Sequence, residues 1–196
     1  EEKIIQAQKI WSGSPLFELL PYKMKKVGII TTGNEVYYGR IKDTFTPVII
    51  EKLAPYGMEI CGHETVNDSK ENIIAAIKSL KEQGAEMIIC TGGMSVDPDD
   101  VTPSAIKECG ADLVSYGAPV LPGAMFLLAY FKDGTPILGL PGCVMYAKRT
   151  IFDLVLPRVA AKVKVGAKDL ASMGHGGLCL QCEVCHYPNC GFGKGV

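Results

Sequence analysis

The sequence predicts an α/β fold, a mostly parallel sheet flanked by helices on both faces, and three observations predict it. Short apolar runs, Val27-Gly-Ile-Ile30 and Met87-Ile-Ile-Cys90, have the length and composition of strands covered on both sides. Between them Ile73, Ile74, Ile77 and Leu80 recur at helical spacing. Both strands empty into glycine-bearing turns, Thr31-Thr-Gly33 and Thr91-Gly-Gly93. Alternating strands and helices make a parallel sheet, and such sheets bind ligands beyond the carboxyl ends of their strands.

The elements follow in order. Glu1 to Ile10 has helical spacing, with Ile4, Ile5 and Ala7 among charges, and Gly13 to Pro21 reads as a linker. After the first strand, Thr44 to Leu53 forms a helix that stops at Pro55 and Gly57. Met58 to Cys61 is a second short strand. Asp68-Ser-Lys-Glu71 is a capped helix start, Gly84 ends that helix, and Met87 to Cys90 follows as a strand. Pro103 to Cys109 is a short helix and Leu113 to Tyr116 a strand. Phe126 to Phe131 and Pro136 to Leu140, joined by Lys132-Asp-Gly134, read as a hairpin. Val144 to Val163 is amphipathic, and Pro157 should end or kink it. The expected division is residues 1–24 as an N-terminal helix and linker, compatible with the end of a preceding segment, 25–165 as the α/β domain, and 166–196 as a Gly/Cys-rich tail.

With 196 residues, 47% of them hydrophobic and 21% charged, the chain is long enough for one sizeable core. A net charge of −1 without a basic run argues against nucleic acid as partner. No apolar stretch approaches the roughly 20 residues a membrane span needs, and no signal-peptide pattern opens the chain. A cytoplasmic location is expected. Cys61, Cys90, Cys109 and Cys143 are scattered singly, whereas Cys179, Cys182, Cys185 and Cys190 crowd together near the end. In a cytosolic chain such a cluster points to a metal, zinc or an iron–sulfur cluster, rather than a disulfide framework.

Chemistry concentrates in Thr91-Gly-Gly-Met-Ser-Val-Asp-Pro-Asp-Asp100. Glycine lets backbone N–H groups approach an anion closely. Asp97, Asp99 and Asp100 follow at once, which suits a phosphorylated ligand held through a divalent metal. The same acidic run is also compatible with a plain helix cap leading into Pro103.

Several loops resemble one family when taken together. Thr32-Gly-Asn-Glu35, Gly39-Arg-Ile-Lys-Asp43, Thr91-Gly-Gly-Met-Ser-Val96, Pro122-Gly123 and Gly139-Leu-Pro-Gly142 look like the molybdopterin-binding domain of molybdenum cofactor biosynthesis proteins. Those proteins include MoaB, MogA, MoeA and gephyrin, and the likeness is nearest the MoeA type over about residues 25–162. The resemblance implies a MogA/MoaB-like sheet binding molybdopterin or its adenylated form, with Mg²⁺ and possible use of molybdate, in a homo-oligomer.

It also implies roles. Glu35, Asp68, Asp99 and Asp100 become the acidic catalytic set. Thr32, Gly33, Asp43, Thr91, Gly92, Gly93, Ser95, Pro122, Gly123, Pro141 and Gly142 become ligand-binding positions. Three departures stand out from the family pattern: Phe45 where Asn is usual, Asp97 where Gly is usual, and Cys143-Val144 where Asn-Pro is usual. The implied activity is Mg-dependent adenylyl transfer or molybdate insertion, with a non-catalytic cofactor carrier as the alternative.

Overall fold

In the computed structural model the described residues are all of 1–196 except 12, 14, 16, 96, 98, 99, 195 and 196. Six strands form one sheet: β1 (Lys26–Thr32), β2 (Glu59–Val66), β3 (Met87–Thr91), β4 (Asp112–Tyr116), β5 (Leu127–Tyr130) and β6 (Pro136–Leu140). Their order is β2-β1-β3-β6-β5-β4. β1 pairs in parallel with β2 and β3, and β3 with β6; the β5–β6 hairpin and the β4–β5 pair are antiparallel. The expected second strand, 58–61, runs on to Val66.

The central strands are covered on both sides because their residues alternate between two cores. Ile29, Ile89 and Leu138 face one core, built with Ile49 and Leu53 of α3 (Phe45–Leu53) and Phe152 and Val155 of α6 (Ile151–Ala160). Ile30, Ile88 and Ile137 face the other, built with Ile73, Ile77 and Leu80 of α4 (Lys70–Glu82) and Ile106 of α5 (Thr102–Glu108). Each fully buried Ile or Leu contributes on the order of 2 kcal/mol by leaving water. The remaining helices are α1 (Glu2–Ile10), which buries no residue, the short α2 (Asn34–Tyr37) and α7 (Ala167–Ser172). Among the described residues no helix is long and apolar enough to cross a membrane.

Two helix starts and one helix interior differ from expectation. Ser69, not Asp68, caps α4 by accepting from Asn72 N, which leaves Asp68 to accept from Asn34 N at 2.9 Å. The 144–163 segment divides into a 3-10 turn at Gly142–Met145 and α6. Thr150 and Asp153 form a reciprocal capping box that starts α6.

Pro157 neither ends nor halts α6, which continues to Ala160. A proline has no N–H to give the carbonyl four residues back, here that of Asp153. The Tyr187 hydroxyl donates to that same Asp153 oxygen at 2.9 Å. A tail side chain thus supplies the bond that proline cannot make.

Residues 176–193 are fastened to the body. Leu121 N donates to Gly177 O and Cys179 N to Leu121 O, and Leu121 pairs with Leu178 in an isolated bridge. Phe192 is only 4% exposed within the first core.

Candidate functional site

The parallel register puts the carboxyl ends of β1, β2 and β3 side by side. A cleft of about 620 Å³ opens there. Thr32, Gly33 and Gly93 line it, so the two Thr-Gly turns share one cavity. Gly92 and Gly93 both have positive φ, 82° and 55°, and a Cβ on Gly92 would run into the Thr32 carbonyl. Thr32 Oγ1 donates to Thr91 O at 3.1 Å and meets Thr102 Oγ1 at 3.2 Å, while Thr102 Oγ1 donates to Gly92 O. These buried hydroxyls hold the loops together by satisfying backbone carbonyls.

The cleft is acidic. Glu35, Asp43, Asp68, Asp97 and Asp100 line it, against Lys42 as the lysine or arginine among its lining residues. Glu35 and Asp68 are exposed and Asp100 is half-buried. Asp100 accepts from Ser95 N at 2.6 Å, folding the acidic loop back on itself, and Tyr116 donates from its hydroxyl to Ser95 O. Asp99 lies outside the described residues.

Asp43 is the best-tied of these carboxylates. It accepts from Thr46 Oγ1 at 2.6 Å, Thr31 Oγ1 at 2.9 Å, Phe45 N at 2.8 Å and Thr46 N at 3.1 Å. Burial pushes its pKa up, but the hydrogen bonds from Thr46, Thr31 and Phe45 outweigh burial and hold it below the ordinary carboxylate value. His63 Nε2 joins the group, 3.0 Å from Thr31 Oγ1 and 3.4 Å from Asp43. Sequence does not link Thr31 or His63 to this group, because His63 lies 32 residues from Thr31 and 17 from Thr46 along the chain, and Thr31 lies 12 from Asp43. The pairing of β1 with β2, which sets Ile29 opposite His63, brings His63 to it.

The expected binding positions divide. Thr32, Gly33, Asp43 and Gly93 line the cleft; Thr91, Gly92, Ser95, Pro122, Gly123, Pro141 and Gly142 are not among its lining residues. Thr91 is fully buried and bonds back to Ile30 O. Pro122 and Gly123 pack on the start of α6, where Pro122 O accepts from Ile151 N. Pro141 is buried and starts the Gly142–Met145 turn, whose Met145 does reach the cleft and accepts from Thr44 Oγ1. The amides of Gly33 and Asn34 are bonded to Val66 O and Asp68, so that turn offers side chains rather than free N–H groups to a ligand.

The four tail cysteines line one hollow. Among the described residues no three of His, Cys, Asp and Glu stand close enough to hold a metal ion, so the four thiols do not converge on a single point. All eight cysteines are free. The hinge between cleft and tail is one short segment: Met145 lines the cleft, and Tyr146, Lys148 and Arg149 line a separate hollow against the tail.

Fold and cleft together define a class, an α/β domain with an acidic cleft at the carboxyl edge of its mostly parallel sheet. Residues 28–161 match the family described as the probable molybdopterin binding domain, and the chain belongs to that family. In structure it is similar to the tungsten cofactor synthesizing protein MoaB from Pyrococcus furiosus, with a TM-score of 0.57 and 21% identity over 70% of this chain and 93% of that one. It is equally similar to the molybdopterin biosynthesis enzyme MoaB from Thermus thermophilus, at TM-score 0.57 and 23% identity over 73% and 99% of the two chains. The CinA protein from Thermoplasma acidophilum, described as of unknown function, aligns with TM-score 0.56 at 18% identity, covering 71% of this chain and 98% of that one. In sequence, 90 residues are 33% identical to a CinA-like protein of Mycobacterium tuberculosis, 45% of this chain and 21% of that protein. The match therefore spans about a fifth of the length of this curated relative.

Proposed function

We propose that the cleft binds molybdopterin or its adenylated form together with Mg²⁺ and acts in cofactor assembly, by adenylyl transfer or by molybdate insertion with release of AMP. The observation that carries this reading is the charge of the cleft: five carboxylates and one lysine line a cavity reached by two Thr-Gly turns. A phosphate entering such a site meets like charge unless a cation comes with it. The donors are hard oxygens, which fits Mg²⁺, an ion that takes one or two carboxylates and keeps waters and substrate oxygens as its other ligands. Glu35 and Asp100 are the residues we assign to hold it, with Asp99 beside them in sequence. When bound, the ion would offset negative charge on the phosphate oxygens.

The chain's own groups position rather than react. Thr32, fixed by Thr91 O and Thr102, keeps the two turns at a constant separation. Asp43, tied by four hydrogen bonds, locks the start of α3 and the wall that carries Phe45. Alignment and charge compensation are what phosphoryl and adenylyl transfer ask of a protein. Within the family, the Thr91-Gly-Gly-Met-Ser95 loop supports a likeness to the MoeA type.

The test is anaerobic binding of molybdopterin by the whole chain, with Mg²⁺ and with EDTA, followed by assay for AMP and pyrophosphate. Micromolar binding that weakens at least about tenfold without Mg²⁺ is expected, as is a similar loss in Glu35→Gln and Asp100→Asn, since one metal-mediated contact is worth about 1.4 kcal/mol or more. Well-folded protein that binds equally well with and without the metal, or not at all, would overturn the reading. A second reading, a cofactor carrier without turnover, is favoured by Phe45, which puts an aromatic ring in the cleft wall. Tight binding with no nucleotide product would select it.

A further inference from the structure

The tail cysteines surround one hollow that the cleft chemistry does not use. Cys179, Cys182, Cys185 and Cys190 all line a cavity of about 220 Å³ between the tail and the 146–149 segment. Two of the thiols are seated by the fold, since Cys179 and Cys190 are half-buried and pack on the first core. The other two are exposed on the intervening loop. That loop is held at both ends, by the Cys179–Leu121 backbone bond and by Phe192 in the core. It is also held in the middle, where Lys148 Nζ donates to Glu183 O at 2.9 Å and Arg149 stacks on the Tyr187 ring at 4.7 Å.

Charge and shape decide what the hollow suits. Lys148 and Arg149 line it and no carboxylate does, so it favours an anionic group. A single tetrahedral zinc needs four sulfurs at about 2.3 Å from one point and no interior volume. Here the sulfurs are spread around a cavity, and no three converge. A cluster has the opposite requirements: each cysteine meets its own iron, the sulfurs stand apart, and the inorganic core fills the space between them. Three cysteines at successive three-residue spacing, 179, 182 and 185, form the kind of run that ligates such clusters, and Cys190 lines the same hollow as a fourth thiol.

We propose that this hollow seats a four-iron, four-sulfide cluster ligated by Cys179, Cys182, Cys185 and Cys190. Assembly from two ferrous ions, two ferric ions and four hydrosulfide ions forms the iron–sulfide core and four iron–thiolate bonds, and eight protons, four from the thiols and four from hydrosulfide, leave to solvent with no change of oxidation state. Lys148 and Arg149 then face the resulting anionic core.

The test uses the whole chain, its thiols reduced and the excess reductant removed, incubated anaerobically with equal amounts of ferrous and ferric iron and with sulfide, and then desalted. The expected product is brown, absorbs broadly in the visible, and carries about four irons and four sulfides per chain. Cys182→Ala/Cys185→Ala should remain folded by circular dichroism, because both side chains are exposed, and retain less than about a quarter of the iron. Cys61→Ser, in β2 away from the hollow, should keep the full complement. Colourless wild-type protein, one tightly held zinc that iron and sulfide do not replace, or full iron in the double variant would each overturn the assignment.

Discussion

Replacing Tyr187 with Phe removes one oxygen and leaves the ring in place, with its contacts to Arg149 and Phe192. That oxygen is the hydrogen-bond donor to Asp153 O, the carbonyl that Pro157 leaves without its helical partner. Asp153 is 4% exposed, so water does not take the place of the lost hydroxyl. An orphaned buried acceptor costs about 1–3 kcal/mol. For a chain of this size each kcal/mol moves Tm by roughly 2–4 °C, and the variant should melt about 2–12 °C lower, near 6 °C for a mid-range cost of about 2 kcal/mol. The control is Pro157→Ala, which restores a backbone N–H at the correct position for Asp153 O. In that background Tyr187→Phe should cost about 1 kcal/mol less than in wild type, measured as a double-mutant cycle by thermal or urea unfolding. Equal cost in both backgrounds would refute the argument that the tyrosine compensates for the proline.

Three further outcomes are expected. Gly92→Ala places a Cβ against the Thr32 carbonyl at a positive φ and should destabilise the fold by about 3 kcal/mol, read by urea unfolding, while Gly134→Ala, whose Cβ meets nothing nearby, should cost only the conformational strain of about 1–2 kcal/mol. Asp43 has a folded pKa below its ordinary 3.8, so the stability it contributes is complete above that value and is lost as pH falls through the lowered one; Tm measured from about pH 5 downward should drop more steeply in wild type than in Asp43→Asn. Lys52→Met removes the ammonium 2.8 Å from Asp153 in a nearly buried pair and should cost about 2 kcal/mol by calorimetry. The loss stays moderate because Arg149 and Thr150 N still face that carboxylate.

The architecture was legible because its signals are local. The runs at 27–30 and 87–90, the helical stripe at 73–80 and the 126–140 hairpin each declare their period within a few residues, and the two Thr-Gly turns end up in one cleft. What escaped depends on partners distant in sequence. Pro157 reads locally as a helix breaker, and only a tyrosine thirty residues later lets it stay inside α6. Asp68 reads as the cap of α4 until Ser69 takes that role and frees it to hold Asn34 N. Pro122-Gly123 has the composition of a ligand loop, but its neighbour Leu121 is occupied in fastening the tail. The approach of His63 to Thr31 and Asp43 has no signature in sequence, since it exists only once β1 and β2 pair.

The segment from Gly142 to Arg149 is a party wall. One side, at Met145, borders the acidic cleft; the other, at Tyr146, Lys148 and Arg149, borders the cysteine hollow. Lys52 pins it from behind through the Lys148 carbonyl. A wall common to two rooms cannot be moved for one tenant alone. To the extent that filling either cavity shifts it, the two occupancies are linked, and thermodynamics requires that linkage to be equal in both directions.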